Sequence, residues 1–366
     1  MSLHESITRD IGHTDELITL VRARAEETHR SAKLPLEVLH SFHDPYIAHQ
    51  LGLDASAPVR YADLFHTVSE LGQACGSTGW AVSVMASSAK ISTLLPDAAF
   101  SRIHGGDEVA LICAGLIPAG TATCDATGWT LNGRWPYVTA AVYADWALLA
   151  ASIETGDGRP LVHFFAVPRG SYLVEPTWEM SALRATRTDT VVVENLLLGH
   201  DYTFDRSDWL AGDSRSERPF PIKQAQVTGG VSFLMPAIGM ARSALSTTVT
   251  NYRDKSPSGG VRLSLVRATA ALHSAEMLVQ ETARRLDGTA QLPHKTVLEL
   301  ERNGVFSAEL LRDVKQSLRQ LAGTSGFAQG AVLNRQLGDL EVALSHVSLQ
   351  FETSTLARYS ALLLGE

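Results

Sequence analysis

The hydrophobic period of this chain changes twice, and that alternation limits its fold more than any other feature. From about Asp15 to Phe100 apolar residues return every three or four positions. Leu17, Ile18, Val21 and Ala25 do so, as do Tyr61, Leu64, Phe65, Val68 and Leu71, which predicts helices punctuated by Pro35, Pro45 and Pro58. From about Val109 to Tyr202 the pattern becomes short β-rich runs: GWTLNGRW, DWALLAASI, RPLVHFFAVP, SYLVEPTW and TDTVVVENLLL. Gly128 and Asn132–Gly133 lie between apolar runs and read as tight turns. After the polar stretch GDSRSERPFP the helical period returns and persists. Leu265, Leu272, Val279 and Leu286 recur at seven with Ala268 and Ala275 between them, a bundle seam, and a second stripe runs through Leu337, Leu340, Leu344, Val347 and Phe351. Alternating βαβ units are absent, which argues against a doubly wound parallel sheet. The expected fold is therefore mainly α with a β insert (α+β). Its parts are an N-terminal helical part over 1–108, a small barrel or sandwich over 109–215 and a helical bundle over 216–366.

A chain of 366 residues is long enough for two or three such units, each with its own core. Lys+Arg number 31 against Asp+Glu 39, a net charge of -8, so a basic surface for nucleic acid or anionic lipid is not expected. Cys75, Cys113 and Cys124 form no CxxC pair and read as reduced thiols. The opening MSLHESITRD carries no apolar signal core and no long uncharged apolar run follows, so the expectation is a cytoplasmic protein with no membrane contact.

Neither GxxxxGK[ST] nor GxGxxG occurs, and there is no GxSxG elbow, so a nucleotide-like cofactor would have to bind in some other way. His40, His43 and His49 lack a metal-ligand spacing, and Pro45 interrupts any shared helical face; no metal is expected. Two constellations remain. Arg335, Asp339 and His346, at spacings of four and seven, are placed on one face of the last apolar helix, where each is either paired or used. In WPYVTAA, the aromatics Trp135 and Tyr137 stand beside the hydroxyl of Thr139, a set suited either to a flat ring with a polar edge or to ordinary core packing.

Taken together, four ordered blocks resemble the acyl-CoA dehydrogenase superfamily, and within it the two-component flavin-dependent monooxygenases, the group D hydroxylases. The blocks are CGSTGWAVSV, then GLIPAGTATCDATGWTLNGRWPYVTAAVYADWALLAA, then VEPTWEMSALRATRTDTVVVENLLLGHDYTF, and finally GFAQGAVLNRQLGDLEVALSH. They are similar to the family's Ser-Thr/Ala-x-Trp helix, its Gly-Arg-Trp-x-x-x-Ser-Gly and Ala-Asp-Trp, its Leu-Arg-x-Thr-Gly-Ser, and its Arg-Asp followed seven residues later by His. The resemblance implies an N-terminal helical domain, a middle β-barrel and a C-terminal four-helix bundle, assembled as a homotetramer. It implies reduced FMN or FAD (FMNH2 or FADH2) delivered by a separate NAD(P)H-dependent flavin reductase, with molecular oxygen as co-substrate. The implied activity is hydroxylation or N-oxygenation of a small aromatic or amine-bearing molecule through a C4a-hydroperoxyflavin. By the same resemblance Thr139 bonds the flavin edge near N5, Trp135, Thr186 and Thr188 belong to the flavin site, and His346 sits by the reactive carbon and controls its proton near neutral pH.

The chain departs from the family pattern at three places. Ser-Gly is Thr139–Ala140, Thr-Gly-Ser is Thr186–Arg187–Thr188, and Arg-Asp is Gly338–Asp339. Arg187 then reads either as a cation for flavin phosphate or an acidic substrate, or as a block to flavin, and Arg335 as a substitute partner for Asp339 one helical turn away. Two alternatives follow. The first is an FAD-dependent acyl-thioester dehydrogenase, which would use a tail glutamate such as Glu352, although the interval from Asp339 is long for it. The second is a flavin-free relative with a binding or redox-neutral role.

Overall fold

The computed structural model describes residues 3–57, 59–153, 161–212, 223–288, 291–328, 330–351 and 355–366, without the side chains of 3–13 and 226. The 215/216 boundary, the polar stretch beyond Gly212 and Glu352 lie outside the described residues. The element order is helices, strands, helices. Six helices come first: α1 (Leu3–Ser31), α2 (Leu36–Ser41), α3 (Pro45–Gln50), α4 (Tyr61–Ala74), α5 (Gly76–Ser92) and α6 (Asp97–His104). Then come strands β1 (Ile112–Asp125), β2 (Gly128–Val138), β3 (Trp146–Ile153), β4 (Leu161–Pro168), β5 (Leu173–Glu175), β6 (Asp189–Leu198) and β7 (Thr203–Asp205). They are followed by α7 (Arg206–Ala211), α8 (Ala225–Tyr252), α9 (Gly259–Leu286), α10 (His294–Ala322), α11 (Val332–Leu344) and a C-terminal helix, Leu356–Leu364.

The strands form one seven-stranded sheet in the order β5-β6-β2-β1-β3-β4-β7, antiparallel except for β1 beside β3. Period-two alternation gives it two buried faces. Leu149, Phe165, Val167, Leu131 and Trp135 share one core, while Leu148, Phe164 and Ala166 pack with Ile91, Leu95 and Ile103 on the other side. Trp129 of β2 meets Phe165 of β4 edge-on, with centroids 5.5 Å apart. In the sheet order those strands stand three apart, on the order of 14 Å if the sheet were flat, so the sheet curls around its first core as a barrel does.

The curl depends on a bulge. The β1–β3 register shifts between Gly115 and Gly120, which leaves Ala150 of β3 without a β1 partner. The indole Nε1–H of Trp135 donates to the Ala150 carbonyl at 2.6 Å, replacing the lost ladder bond. A Cβ on Gly120 would overlap the Trp135 ring and lie 2.7 Å from the Asn132 carbonyl, so only glycine fits there. Asn132–Gly133, expected as a turn, instead lies inside β2 at a register shift; the turn is at 126–127, before Gly128 with φ +142°.

The two helical parts pack into one continuous core. Leu64, Val68 and Leu71 of α4 share it with Leu234, Ile238 and Ala241 of α8, and with Leu272 and Val279 of α9. The α9 seam is as expected, with Leu272, Val279 and Leu286 buried. At its centre is α5, buried on almost every face, as its unbroken run of small and apolar residues requires. Pro236 sits inside α8 and has no N–H for the carbonyl four residues earlier, Ser232. The Ser83 hydroxyl of α5 donates to that carbonyl at 2.5 Å, fixing α5 against α8 where a cavity opens.

The expected stripe on α11 is buried at Leu337, Leu340 and Leu344, but the helix stops there and Val347 is exposed. His346 is therefore not on the helical face that carries Arg335 and Asp339. No described helix is long and apolar enough to cross a membrane.

Candidate active site

The three threonines come together. The Oγ1 atoms of Thr139 and Thr188 are 3.1 Å apart, those of Thr186 and Thr188 are 2.9 Å apart, and Thr186 donates to the Leu183 carbonyl at 2.8 Å. Thr139 follows directly on β2, and the other two sit on the connection into β6. Four of the non-glycine residues with positive φ surround them: Tyr137, Ala140, Leu183 and Arg187. A left-handed backbone at non-glycine positions stores of order 1 kcal/mol or more at each and persists only where other contacts hold it. Here the Ala140 N–H donates to the Thr186 carbonyl at 2.9 Å, and the Leu183 N–H donates to Asp339 Oδ1 at 2.7 Å.

Asp339 thus acts on the threonine loop through Leu183. It reaches that loop past Gly76, where a Cβ would lie 2.8 Å from Oδ2. Burial pushes its carboxyl up to about 6, against the opposing pull of the Leu183 N–H and the nearby Arg335 charge. The expected Arg335–Asp339 ion pair does not form. No bond to the Arg335 guanidinium is present among the described residues, and it lines a small second cavity with His29, Ser77 and Gln336. Arg187 keeps the left-handed backbone suited to the family's glycine, but Asp189 ties its side chain down, with Nε 2.8 Å from Oδ2. Asp189 Oδ1 also accepts the N–H groups of Thr177 and Trp178, at 2.9 Å each. Held this way, the Arg187 guanidinium is paired with Asp189 through Nε.

Trp135 and Tyr137 do not form an aromatic platform. The register shift after Trp135 separates them, leaving Trp135 1% exposed inside the barrel core and Tyr137 72% exposed. Trp135 supports the end of β2 that carries Thr139.

His346 lies on a different wall. It follows α11, and its Nδ1 accepts the Ser348 N–H at 3.3 Å, which leaves the ring proton on Nε2. Arg312 of α10 clamps this segment, donating at 2.8 Å to both the Leu344 and Leu349 carbonyls. The ring is tilted against Phe233 of α8 with centroids 3.8 Å apart, and Phe233 stacks on Trp80 of α5 at 5.1 Å. Burial among these rings lowers its pKa to about 4, so the expected titration near neutral pH is replaced by a neutral imidazole offering Nε2–H.

His346 lines a cavity of about 160 Å³ with Val84, Ser87, Lys90, Leu116, Trp209 and Phe233, roughly ten times the space that one buried water requires. The threonine cluster does not line it. Both sites are organised by α5, whose first residue, Gly76, meets Asp339 and whose Trp80 is 6.1 Å from His346, centroid to centroid. Arg312, Phe233, Asp189 and Lys90 escaped the sequence reading; of these only Lys90, a lone cation in the small-residue run SVMASSAKIS, left a visible signal.

The threonine cluster suits the edge of a flavin ring. Its hydroxyls both donate and accept, it is uncharged, and all three threonines are buried, Thr139 and Thr188 keeping 7% and 8% exposure while Thr186 keeps none. The Arg187 side chain beside it is held on Asp189.

Residues 231–351 match the model of the acyl-CoA dehydrogenase C-terminal domain. The chain is 24% identical over 319 residues to the FADH(2)-dependent resorcinol hydroxylase oxygenase component of Rhizobium sp. (strain MTP-10005), covering 80% of this chain and 78% of that one. It is 25% identical to the indole-3-acetate monooxygenase of Pseudomonas putida, over 89% of this chain and 86% of that one. Among solved structures, XiaF from Streptomyces sp. in complex with FADH2 and glycerol superposes with a TM-score of 0.87 at 22% identity, over 99% and 98% of the two chains. Residues 231–351 thus carry an acyl-CoA dehydrogenase C-terminal domain, and the chain as a whole is similar to the oxygenase components of flavin-dependent monooxygenases and shares their fold.

Proposed function

We propose that this chain is the oxygenase component of a two-component flavin-dependent monooxygenase, oxygenating a small aromatic or amine-bearing molecule with reduced FMN or FAD from a separate reductase. The observation that carries this reading is the neutral His346, fixed by Ser348, Phe233 and Arg312 in the wall of an otherwise largely apolar cavity. Reduced flavin, when bound, supplies the electron pair that activates molecular oxygen. Thr139, Thr188 and Thr186 would hold the edge of its ring, and Arg335, a guanidinium with no bond among the described residues and lining the cavity beside Asp339, is the candidate for its charged tail. His346 donates a hydrogen bond from Nε2 without carrying charge, so it steadies a developing negative oxygen. Phe233, Trp80, Val84 and Leu116 exclude water, which strengthens that bond and suppresses hydrolytic side reactions. A homotetramer is supported by the exposed apolar residues Leu263, Val266 and Met277 on one face of α9.

The test is turnover with a purified flavin reductase, NAD(P)H and labelled molecular oxygen against a panel of small phenols, indoles and amines. One labelled oxygen atom in the product supports the reading. Consumption of oxygen with no labelled product from any member, with FAD and with FMN, counts against it.

A further inference from the structure

We propose that Lys90 is the counter-ion for an anionic oxygen on the substrate, so that this cavity selects a small aromatic acid or phenol. The inference rests on the cavity being the substrate pocket of the oxygenase proposed above, and it deepens that reading from observations of its own.

Lys90 lies in the last turn of α5 and lines the cavity that holds His346. Its Nζ is buried, makes no hydrogen bond among the described residues, and sits 3.5 Å from the centroid of the Tyr61 ring. A cation–π contact steadies an ammonium but leaves its three donors unmet, and a buried charge without an acceptor is costly. Each carboxylate near it is already engaged. Asp287 accepts the N–H groups of Tyr61 and Ala62 at 2.5 and 3.1 Å and stands 3.6 Å from Arg60, while Asp54 accepts both the N–H and hydroxyl of Ser56. Among the described residues no carboxylate is within ion-pairing distance of Lys90.

Several of the wall's serine hydroxyls are also engaged internally. Ser87 bonds the Ser232 hydroxyl at 2.7 Å, Ser232 donates to the Thr228 carbonyl at 2.8 Å, and Ser88 donates to the Val84 carbonyl at 2.9 Å. Lys90 Nζ and the His346 Nε2–H are thus two of the donors facing a ligand, in a cavity that Lys223 also lines and whose wall is more apolar than polar. An aromatic ring with one anionic oxygen satisfies both the walls and the lysine. Burial pushes the Lys90 ammonium down to about 7, with the Asp287 charge opposing, which measures how poorly the site is served without an anion. A carboxylic acid arrives already ionised. A phenol transfers its O–H proton to neutral Nζ, leaving an ammonium–phenolate pair and a ring richer in electrons where oxygenation takes place.

Isothermal titration of the full chain without flavin, using benzoate, benzamide and 4-nitrophenol, tests this. Benzoate is expected to bind about 10- to 100-fold more tightly than benzamide, the range of a buried charge-assisted hydrogen bond. Lys90→Met and Lys90→Gln should abolish that preference while leaving benzamide unchanged. Bound 4-nitrophenol should turn yellow below its solution pKa in the wild type only. Benzoate preference without the yellow shift identifies carboxylic acids as the class, and the reverse identifies phenols. Equal affinity for benzoate and benzamide with no colour change, no binding of any probe, or an undiminished preference in both variants overturns the proposal. Should neither variant fold, the wild-type comparison decides. Anaerobic reduced-flavin binding by the same preparations is read separately: its failure removes the oxygenase reading and leaves the Lys90 result standing, and Lys90→Met should not alter it.

Discussion

Replacing Asp339 by Asn should change how stability depends on pH more than it changes stability at any one pH. In the folded chain the carboxyl has risen from 3.8 to about 6, so the folded state holds its proton more tightly than the unfolded state does. Stability from this group is complete below 3.8 and falls as pH rises through about 6. At about 1.4 kcal/mol per pH unit the loss is about 3 kcal/mol. His346 acts in the opposite sense. Its folded pKa of about 4 lies below the ordinary 6.5, so its contribution is full above 6.5 and is lost as pH falls toward 4. The two oppose each other in the wild type, which masks both. Urea unfolding across this range, at one protein concentration, should show the stability of Asp339→Asn relative to wild type rising by about 3 kcal/mol from low to neutral pH. His346→Gln relative to wild type should fall over the same range, by less than the full shift implies because the ring is partly exposed. Any fixed cost of the amide drops out, since only the pH dependence is compared. A flat difference for Asp339→Asn would refute the argument that this carboxyl is buried against Leu183 and Gly76.

Other outcomes follow from the same geometry. Gly120→Ala should destabilise the chain by about 3 kcal/mol, because its Cβ has no room beside Trp135, whereas Gly170→Ala, in open space, should stay within about 0.5 kcal/mol by the same urea assay. Trp135→Phe, which leaves the Ala150 carbonyl without its indole donor, should lose about 1–3 kcal/mol by the same assay. His346→Ala, assayed with a reductase, should lower product formation at least about 100-fold while oxygen consumption continues and appears as hydrogen peroxide. Unchanged coupling would remove His346 from the account.

The order of helices, strands and helices was legible because periods of 3.6 and 2 are set by which faces are buried, and those faces are long here. The α9 seam was legible for the same reason, from its spacing of seven, whereas the threonine trio was singled out only through the family resemblance, because residues 47 apart carry no local spacing signal. The end of α11 was not legible, since nothing in LEVALSHVSLQ breaks a helix; it stops because Arg312, far along the chain, takes the carbonyls of Leu344 and Leu349. That long-range contact carries His346 off the Arg335–Asp339 face. Arg187 misled for a similar reason, its meaning being decided by Asp189 and by a left-handed backbone that spacing does not display. The aromatic pair of Trp135 and Tyr137 left ligand platform and core packing both open, because the pair is visible in sequence and the register shift that separates it is not.

The central claim is that the threonine cluster at the end of β2 holds a reduced flavin. Anaerobic titration of the protein with FADH2 and FMNH2 tests it directly, comparing wild type with Thr139→Val. The account predicts saturable binding of at least one reduced flavin, weakened by about 10-fold in the variant as a hydrogen bond is lost from an intact fold. Binding of neither flavin, or binding indifferent to Thr139, would contradict it.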